Sequence, residues 1–162
     1  MLQEIERKFR VKNTTFLQET TSKFKIVQGY LNSNPDRTVR IRLKENKAFI
    51  TVKGKSNDAG TTRFEWEKEI NYTEAEQLIQ LCEDFIIEKI RYEVTYLNQL
   101  FEIDIFEGKN TGLIIAEIEL ESPNQKVVFP DWLGKEVTGD VRFYNAYLSK
   151  NPYATWQISP ED

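Results

Sequence analysis

Acidic and basic side chains occupy alternate positions in one short segment after another of this chain. Glu4, Glu6 and Lys8 alternate with Ile5, Arg7 and Phe9, and Arg40, Arg42 and Lys44 alternate with Val39, Ile41 and Leu43. Lys53 takes the opposite parity to Ile50 and Val52, while Glu65, Glu67 and Glu69 alternate with Phe64, Trp66, Lys68 and Ile70. Further on, Lys89 and Arg91 oppose Ile90 and Tyr92, Glu102 and Asp104 oppose Phe101, Ile103 and Ile105, and Glu117, Glu119 and Glu121 oppose Ala116, Ile118 and Leu120. Clustered carboxylates are hard oxygen ligands suited to Mg2+ or Mn2+. Clustered arginines and lysines suit the oxygens of a polyanion, Arg in bidentate fashion. Like charges two residues apart on a strand repel unless a counter-ion or ligand lies between them. The charges also sort by sign from segment to segment. The pattern therefore points to a site holding a metal ion and a polyphosphate between an acidic and a basic wall. Pattern alone leaves a second solution open, in which cross-strand salt bridges and internal water satisfy the charges without any ligand.

Composition removes several other chemistries. The chain has no histidine, so neither a Ser–His–Asp nor a Cys–His system exists here, nor a His-ligated zinc site. Its single cysteine, Cys82, forbids an internal disulfide and any Cys-cluster metal site. With 22 Lys plus Arg against 26 Asp plus Glu, the net charge of -4 argues against a general nucleic-acid partner. No apolar run suits a signal peptide or a membrane span. A cytoplasmic protein with no membrane partner is expected, and its catalysis must rest on carboxylates, Lys, Arg, Tyr or a hard metal.

The elements that would position these side chains follow from the period of two, which is the period of β-strands. Turn-forming residues punctuate the segments at Asn34-Pro35-Asp36, Lys53-Gly54-Lys55, Gly108-Lys109-Asn110 and Ser122-Pro123-Asn124. At 162 residues, 40% of them hydrophobic, the chain suits one domain over 1–162. About eight antiparallel strands close into a barrel just wide enough for side chains or one small ligand. With the charged faces inward, the interior becomes an ion-lined tunnel, and the apolar faces need cover from a few helices. Candidates are Asn13 to Lys23, Thr73 to Asp84 with Thr73 and Glu76 at capping-box spacing, and Val141 to Lys150 with Asp140 as its N-cap. Cys82 and the stripe of Tyr144, Tyr147 and Leu148 read as packing. The fold class expected is α+β, a closed eight-stranded antiparallel barrel decorated by helices.

The opening Glu4-Ile5-Glu6-Arg7-Lys8-Phe9 resembles the Glu-x-Glu-x-Lys signature of the CYTH family, the triphosphate tunnel metalloenzymes. Later pieces fall in the family's order: Gln28-Gly29-Tyr30-Leu31, Arg40-Ile41-Arg42-Leu43-Lys44, Thr51-Val52-Lys53, Arg63 before Glu65 and Glu67, Lys89-Ile90-Arg91, Glu102-Ile103-Asp104, Glu117-Ile118-Glu119 and Val137-Thr138-Gly139-Asp140 leading to Tyr144-Asn145. The resemblance covers nearly the whole chain and is strongest to small bacterial members. It implies an eight-stranded tunnel that binds triphosphate compounds and uses Mg2+ or Mn2+. By matching positions it assigns Glu4, Glu6, Glu117 and Glu119 to catalysis, and these four with Asp104 to metal. Lys8, Arg40, Arg42, Lys53, Lys89 and Arg91 would bind phosphate oxygens, with Arg142 as the C-terminal basic residue and Lys135 and Lys150 as alternatives. Glu65 and Glu67 would support the bases or the metal from outside. The leading activity is hydrolysis of inorganic triphosphate to pyrophosphate and phosphate. A class IV-like adenylate cyclase, a thiamine or nucleoside triphosphatase and a non-catalytic polyphosphate-binding module are the alternatives, and homodimerisation stays open.

Overall fold

The computed structural model describes residues 2–156. Nine strands form one antiparallel sheet: β1 (Gln3–Val11), β2 (Thr20–Asn32), β3 (Arg37–Lys44), β4 (Lys47–Gly54), β5 (Thr62–Ile70), β6 (Ile87–Tyr96), β7 (Gln99–Phe106), β8 (Ile114–Glu119) and β9 (Leu133–Glu136). Their order is β5-β4-β3-β2-β6-β7-β8-β1-β9, and a β5–β1 pairing closes the ring. Closure falls to β1, which serves three neighbours. One edge pairs Glu6 to Arg10 with β8. The other edge gives its first half, Gln3 to Ile5, to β5 and its second half, Phe9 to Val11, to β9. The expected eight strands thus make the barrel, and the ninth is an addition on the second half of β1.

The alternation works as the sequence suggested: charged residues point inward and apolar ones outward, where they need cover. On β2, β3 and β4 that cover is α1 (Tyr72–Ile79), packed over Ile41, Leu43, Ala48 and Ile50 through Ala75, Leu78 and Ile79. The N-cap of α1 is Asn71, whose side chain accepts a hydrogen bond from the Glu74 N–H, and not Thr73. The capping spacing was present two residues earlier than expected, as Asn71 and Glu74. Over β1, β6, β7 and β8 the cover contains no long helix. Asn13 to Lys23 is a 3-10 turn at Thr15–Gln18 followed by the start of β2, so Phe16 alone reaches the core. It joins Phe9, Phe101, Ile103, Ile118 and Trp132 in one buried cluster. Among the described residues no helix is long and apolar enough to cross a membrane.

A third cluster, including Ile87, Phe106, Ile115, Phe143 and Leu148, lies at one end of the barrel. Ile87, Phe106 and Ile115 sit opposite Gln28, Lys89 and Asp104 in the ladders, so apolar side chains take over the inner face there. The C-terminal segment packs onto them. It is not the single helix expected over Val141 to Lys150. Asp140 does cap the first turn, accepting from the Arg142 N–H, but that turn is a 3-10 helix of three residues, Val141–Phe143. Tyr144 then takes an extended conformation, and α2 (Asn145–Leu148) starts afresh. The break turns Tyr144 and Asn145 toward the barrel interior, where a continuous helix would have carried only its apolar stripe.

Gly60 and Gly139 fasten this segment to the β4–β5 loop. Both have positive φ, and a Cβ on Gly60 would stand 2.2 Å from the Cα of Gly139. Replacing Gly60 with Ala combines a left-handed backbone with a backbone clash that no side-chain rotation relieves. Gly60→Ala is expected to cost about 1–3 kcal/mol of stability, read as a lower urea midpoint. An unchanged midpoint would show that the two loops are not in contact.

Candidate active site

The barrel encloses a cavity of about 600 Å3, lined by seven glutamates and nine lysines and arginines. Strand order sorts them. Carboxylates come from four consecutive strands, β7 (Glu102), β8 (Glu117, Glu119), β1 (Glu4, Glu6) and β5 (Glu65, Glu67). Most cations come from the other arc of the ring, β4 (Lys53), β3 (Arg40, Arg42, Lys44) and β6 (Lys89, Arg91). Lys8 on β1 and Arg63 on β5 are the two cations within the acidic arc, and Lys150 follows α2 at the cavity edge.

Ion pairs form where the arcs meet. At the β4–β5 seam, Lys53 Nζ is 2.9 Å from Glu4 and 3.3 Å from Glu65, and Arg40 lies 3.4 Å from Glu67. Thr51 links the last two, donating to Glu67 at 2.7 Å and accepting from Arg40 at 3.1 Å. At the β6–β7 seam, the Arg91 guanidinium clamps both oxygens of Asp104 at 2.8 and 2.9 Å and reaches Glu102 at 3.3 Å. Toward the middle of each arc this compensation thins out. Arg42, at the centre of the basic arc, donates only to the neutral Gln28, at 2.8 Å, among the described residues. Burial, with Arg40 and Arg91 nearby, pulls its guanidinium down to about 9. Burial likewise brings the Lys89 ammonium to about 7, although Asp104 opposes the shift. Arg40 Nε is buried with no hydrogen-bond partner among the described residues. A basic arc under such strain is a seat for an anion.

The acidic arc has the converse problem. In the ladders Glu6 sits opposite Glu119 and Glu102 opposite Glu117, like charges face to face. Burial, then Glu117 and Glu4, raise the Glu6 carboxyl well above the ordinary range. Burial is outweighed at Glu117, where Lys8, Arg91 and a hydrogen bond from Glu6 hold the group well below that range. The same division recurs beside it: against burial, Lys53 and a hydrogen bond from Glu65 hold Glu4 at about 2, and Glu65 is pushed up to about 7 by burial and by Glu4. Carboxylates facing one another in this way lack compensating positive charge, which a divalent cation would supply. Among the described residues no three acidic side chains are already gathered around one point.

Most residues singled out from the sequence thus come together: Glu4, Glu6, Glu117, Glu119, Lys8, Arg40, Arg42, Lys53, Lys89 and Arg91 all line one cavity, and so do Glu65 and Glu67. Two do not. Asp104 is 1% exposed, lies behind the wall, and gives both oxygens to Arg91 while Lys89 stands 2.8 Å away. In this structure its place is in an ion-pair network behind the wall, off the cavity that Glu4, Glu6, Glu117 and Glu119 line. Arg142 is off the cavity wall, bonded to Asp140 at 2.8 Å and packed over Phe143 and Trp156. Arg63, Tyr144 and Asn145 were missed as wall residues. Arg63 shares the parity of Glu65 and Glu67, so its signal was present. The Tyr144 ring lies between Lys8, 5.1 Å away, and Arg63, 5.6 Å away, where packing against the core had been expected.

The CYTH domain model matches residues 2–144. An inorganic triphosphatase of Acetivibrio thermocellus is 42% identical over 158 residues, 97% of this chain and 99% of the relative. An inorganic triphosphatase of Nitrosomonas europaea is 36% identical over 150 residues, 90% of this chain and 96% of the relative. Among solved structures, that of an inorganic triphosphatase aligns with a TM-score of 0.65 at 34% identity, covering 90% of this chain and 97% of the other.

Proposed function

The chain belongs to the CYTH domain family, and from that membership we propose that it hydrolyses inorganic triphosphate to pyrophosphate and phosphate with a divalent metal ion. The observation that carries this reading is the sorting of seven carboxylates into one arc of the cavity and six of its nine cations into the other. A triphosphate brings about four to five negative charges at neutral pH, and Arg and Lys are its natural ligands. Two relatives named inorganic triphosphatase, matched almost end to end, favour this substrate over a nucleotide.

Glu4, Glu6, Glu117 and Glu119 would hold the ion, Mg2+ or Mn2+, which when bound polarises phosphate oxygens and makes water a better nucleophile. The chain's own groups do the rest. Arg42, Arg40, Lys89 and Arg91 draw the phosphate chain against the basic arc, and Arg63 takes the place expected of Arg142. Lys8 and Lys53 stand beside the acidic arc, where negative charge develops on the bridging and terminal oxygens as the anhydride bond breaks. Glu117, held ionised by its cationic neighbours, accepts a hydrogen bond from the attacking water and sets its line of approach. No side chain here needs to form a covalent bond to phosphorus. Asn145, Ala146, Tyr147, Lys150 and Asn151, beyond the family match, contribute to the cavity wall, so residues on both sides of that boundary work as one catalytic unit. The absence of any disulfide-forming cysteine pair is compatible with a cytoplasmic location.

Phosphate release should be measured from tripolyphosphate and ATP in parallel, with Mg2+, Mn2+ or EDTA, while cyclic AMP is assayed. Rapid cleavage of tripolyphosphate, at least tenfold faster than ATP and abolished by EDTA, is expected. Cyclic AMP formation, or no cleavage of either compound, would overturn the assignment.

A further inference from the structure

Arg42, which has no acidic partner among the described residues, is tied through two neutral side chains to Lys89, which also pairs with Asp104 at 2.8 Å. Arg42 Nε donates to Gln28 Oε1 at 2.8 Å, and Gln28 Nε2 donates in turn to Asn145 Oδ1 at 3.0 Å. The same Asn145 oxygen accepts from Lys89 Nζ at 3.0 Å. Gln28 and Lys89 are fully buried. One amide oxygen on the first residue of α2 therefore joins β3, β2 and β6 across the inner face of the barrel. The preceding residues brace the opposite side, for the Phe143 carbonyl accepts from Lys8 at 3.2 Å and the Tyr144 ring meets Lys8 and Arg63.

The chemistry of the tether matters as much as its geometry. A buried cation with unsatisfied N–H groups is costly, and a carboxylate is the stronger partner that would satisfy it. A carboxylate would also cancel the charge a polyanion needs to find. Amides hold the donors in place without cancelling charge: Arg42 keeps its own, and Lys89 gains no second counter-ion beside Asp104. We infer that Asn145 is a positioning residue of the phosphate site, orienting Lys89 directly and Arg42 through Gln28 without adding a negative charge to the basic arc. This rests on the triphosphatase reading above and assigns the C-terminal segment a part in substrate binding.

Asn145→Asp separates this role from plain packing. Its oxygen can still accept from Gln28 and Lys89, and no hydrogen bond of the Asn145 amide nitrogen is found among the described residues. A structural role predicts unchanged or tighter folding and unchanged binding. The positioning role predicts folding at least as stable as wild type and tripolyphosphate binding weakened about tenfold or more, because the new charge neutralises the wall. Asn145→Ala should also weaken binding about tenfold, since Gln28 and Lys89 lose their common acceptor. Binding is measured calorimetrically in EDTA, where no turnover occurs, and KM and kcat are then taken with Mg2+. KM is expected to rise in step with Kd while kcat stays within a few-fold. If Asn145→Asp binds tripolyphosphate as tightly as wild type, the inference falls and the proposed function stands. If the wild-type protein itself does not bind tripolyphosphate, both fall together.

Discussion

Glu117→Gln is expected to lower tripolyphosphate turnover on the order of 10²- to 10³-fold, with a melting temperature close to wild type. The size follows from what a single preorganised electrostatic partner contributes when charge develops in a water-poor site. Glu117 is the member of the Glu6–Glu117 pair that stays ionised, and it lies 3.9 Å from Lys8. Glutamine keeps the shape and one acceptor oxygen but removes the charge at the middle of the acidic arc. The folded state loses attraction to Lys8, Arg91 and Lys89 and the charge-assisted hydrogen bond from Glu6, yet repulsion from Glu102 opposite is relieved and Glu6, no longer beside a carboxylate at 117, ionises more readily next to Lys53 and Lys8. These changes oppose each other, so stability moves little while turnover collapses. Steady-state rates with a parallel thermal melt check both halves. Near-normal, metal-dependent turnover in this variant would falsify the assignment of Glu117 to the reacting centre.

How much of this was legible beforehand can be judged residue by residue. Parity along a strand is a rigid rule, because successive side chains point to opposite faces. The inward set was therefore readable wherever a strand was recognised, and the arcs followed once the order of strands was known. What parity cannot reveal is depth along the strand. Asp104 has the same parity as Glu102, but it lies two residues further toward the apolar end, opposite Ile115 and not opposite another carboxylate. The helical cover was read less well, since short helices carry little periodic signal: Thr73 was read as the cap where Asn71 serves, and the start is set by the packing of Ala75 into the outer core. The C-terminal segment was the least legible part. Its helix is broken at Tyr144 by a backbone conformation that nothing in Val141 to Lys150 announces, and the break brings Tyr144 and Asn145 to the wall.

Asp104, ion-paired with Arg91 and Lys89 behind the wall, makes the sharpest contrast with Glu117. Asp104→Asn is expected to destabilise the fold by about 3–5 kcal/mol, the usual cost of removing one partner from a buried ion pair. Arg91 and Lys89 would remain buried with positive charge, and an amide cannot accept both arms of the guanidinium clamp. The wild-type pH dependence should reveal the same pair. Burial opposes ionisation of Asp104, but Arg91 and Lys89 prevail and hold it at about 2, below its ordinary value of 3.8. Because the folded-state value is the lower one, the stabilisation is complete above about pH 4 and is lost as the pH falls toward 2. Urea melts between pH 7 and pH 2 should thus show a wild-type decline over that acid range that is shallower in Asp104→Asn. A metal ligand at position 104 would behave otherwise, like Glu117: its amide variant would melt normally and turn over poorly. A normal melt for Asp104→Asn would return this residue to the reacting centre, whereas a fragile protein whose residual folded fraction still cleaves tripolyphosphate would confirm it as the support behind Arg91.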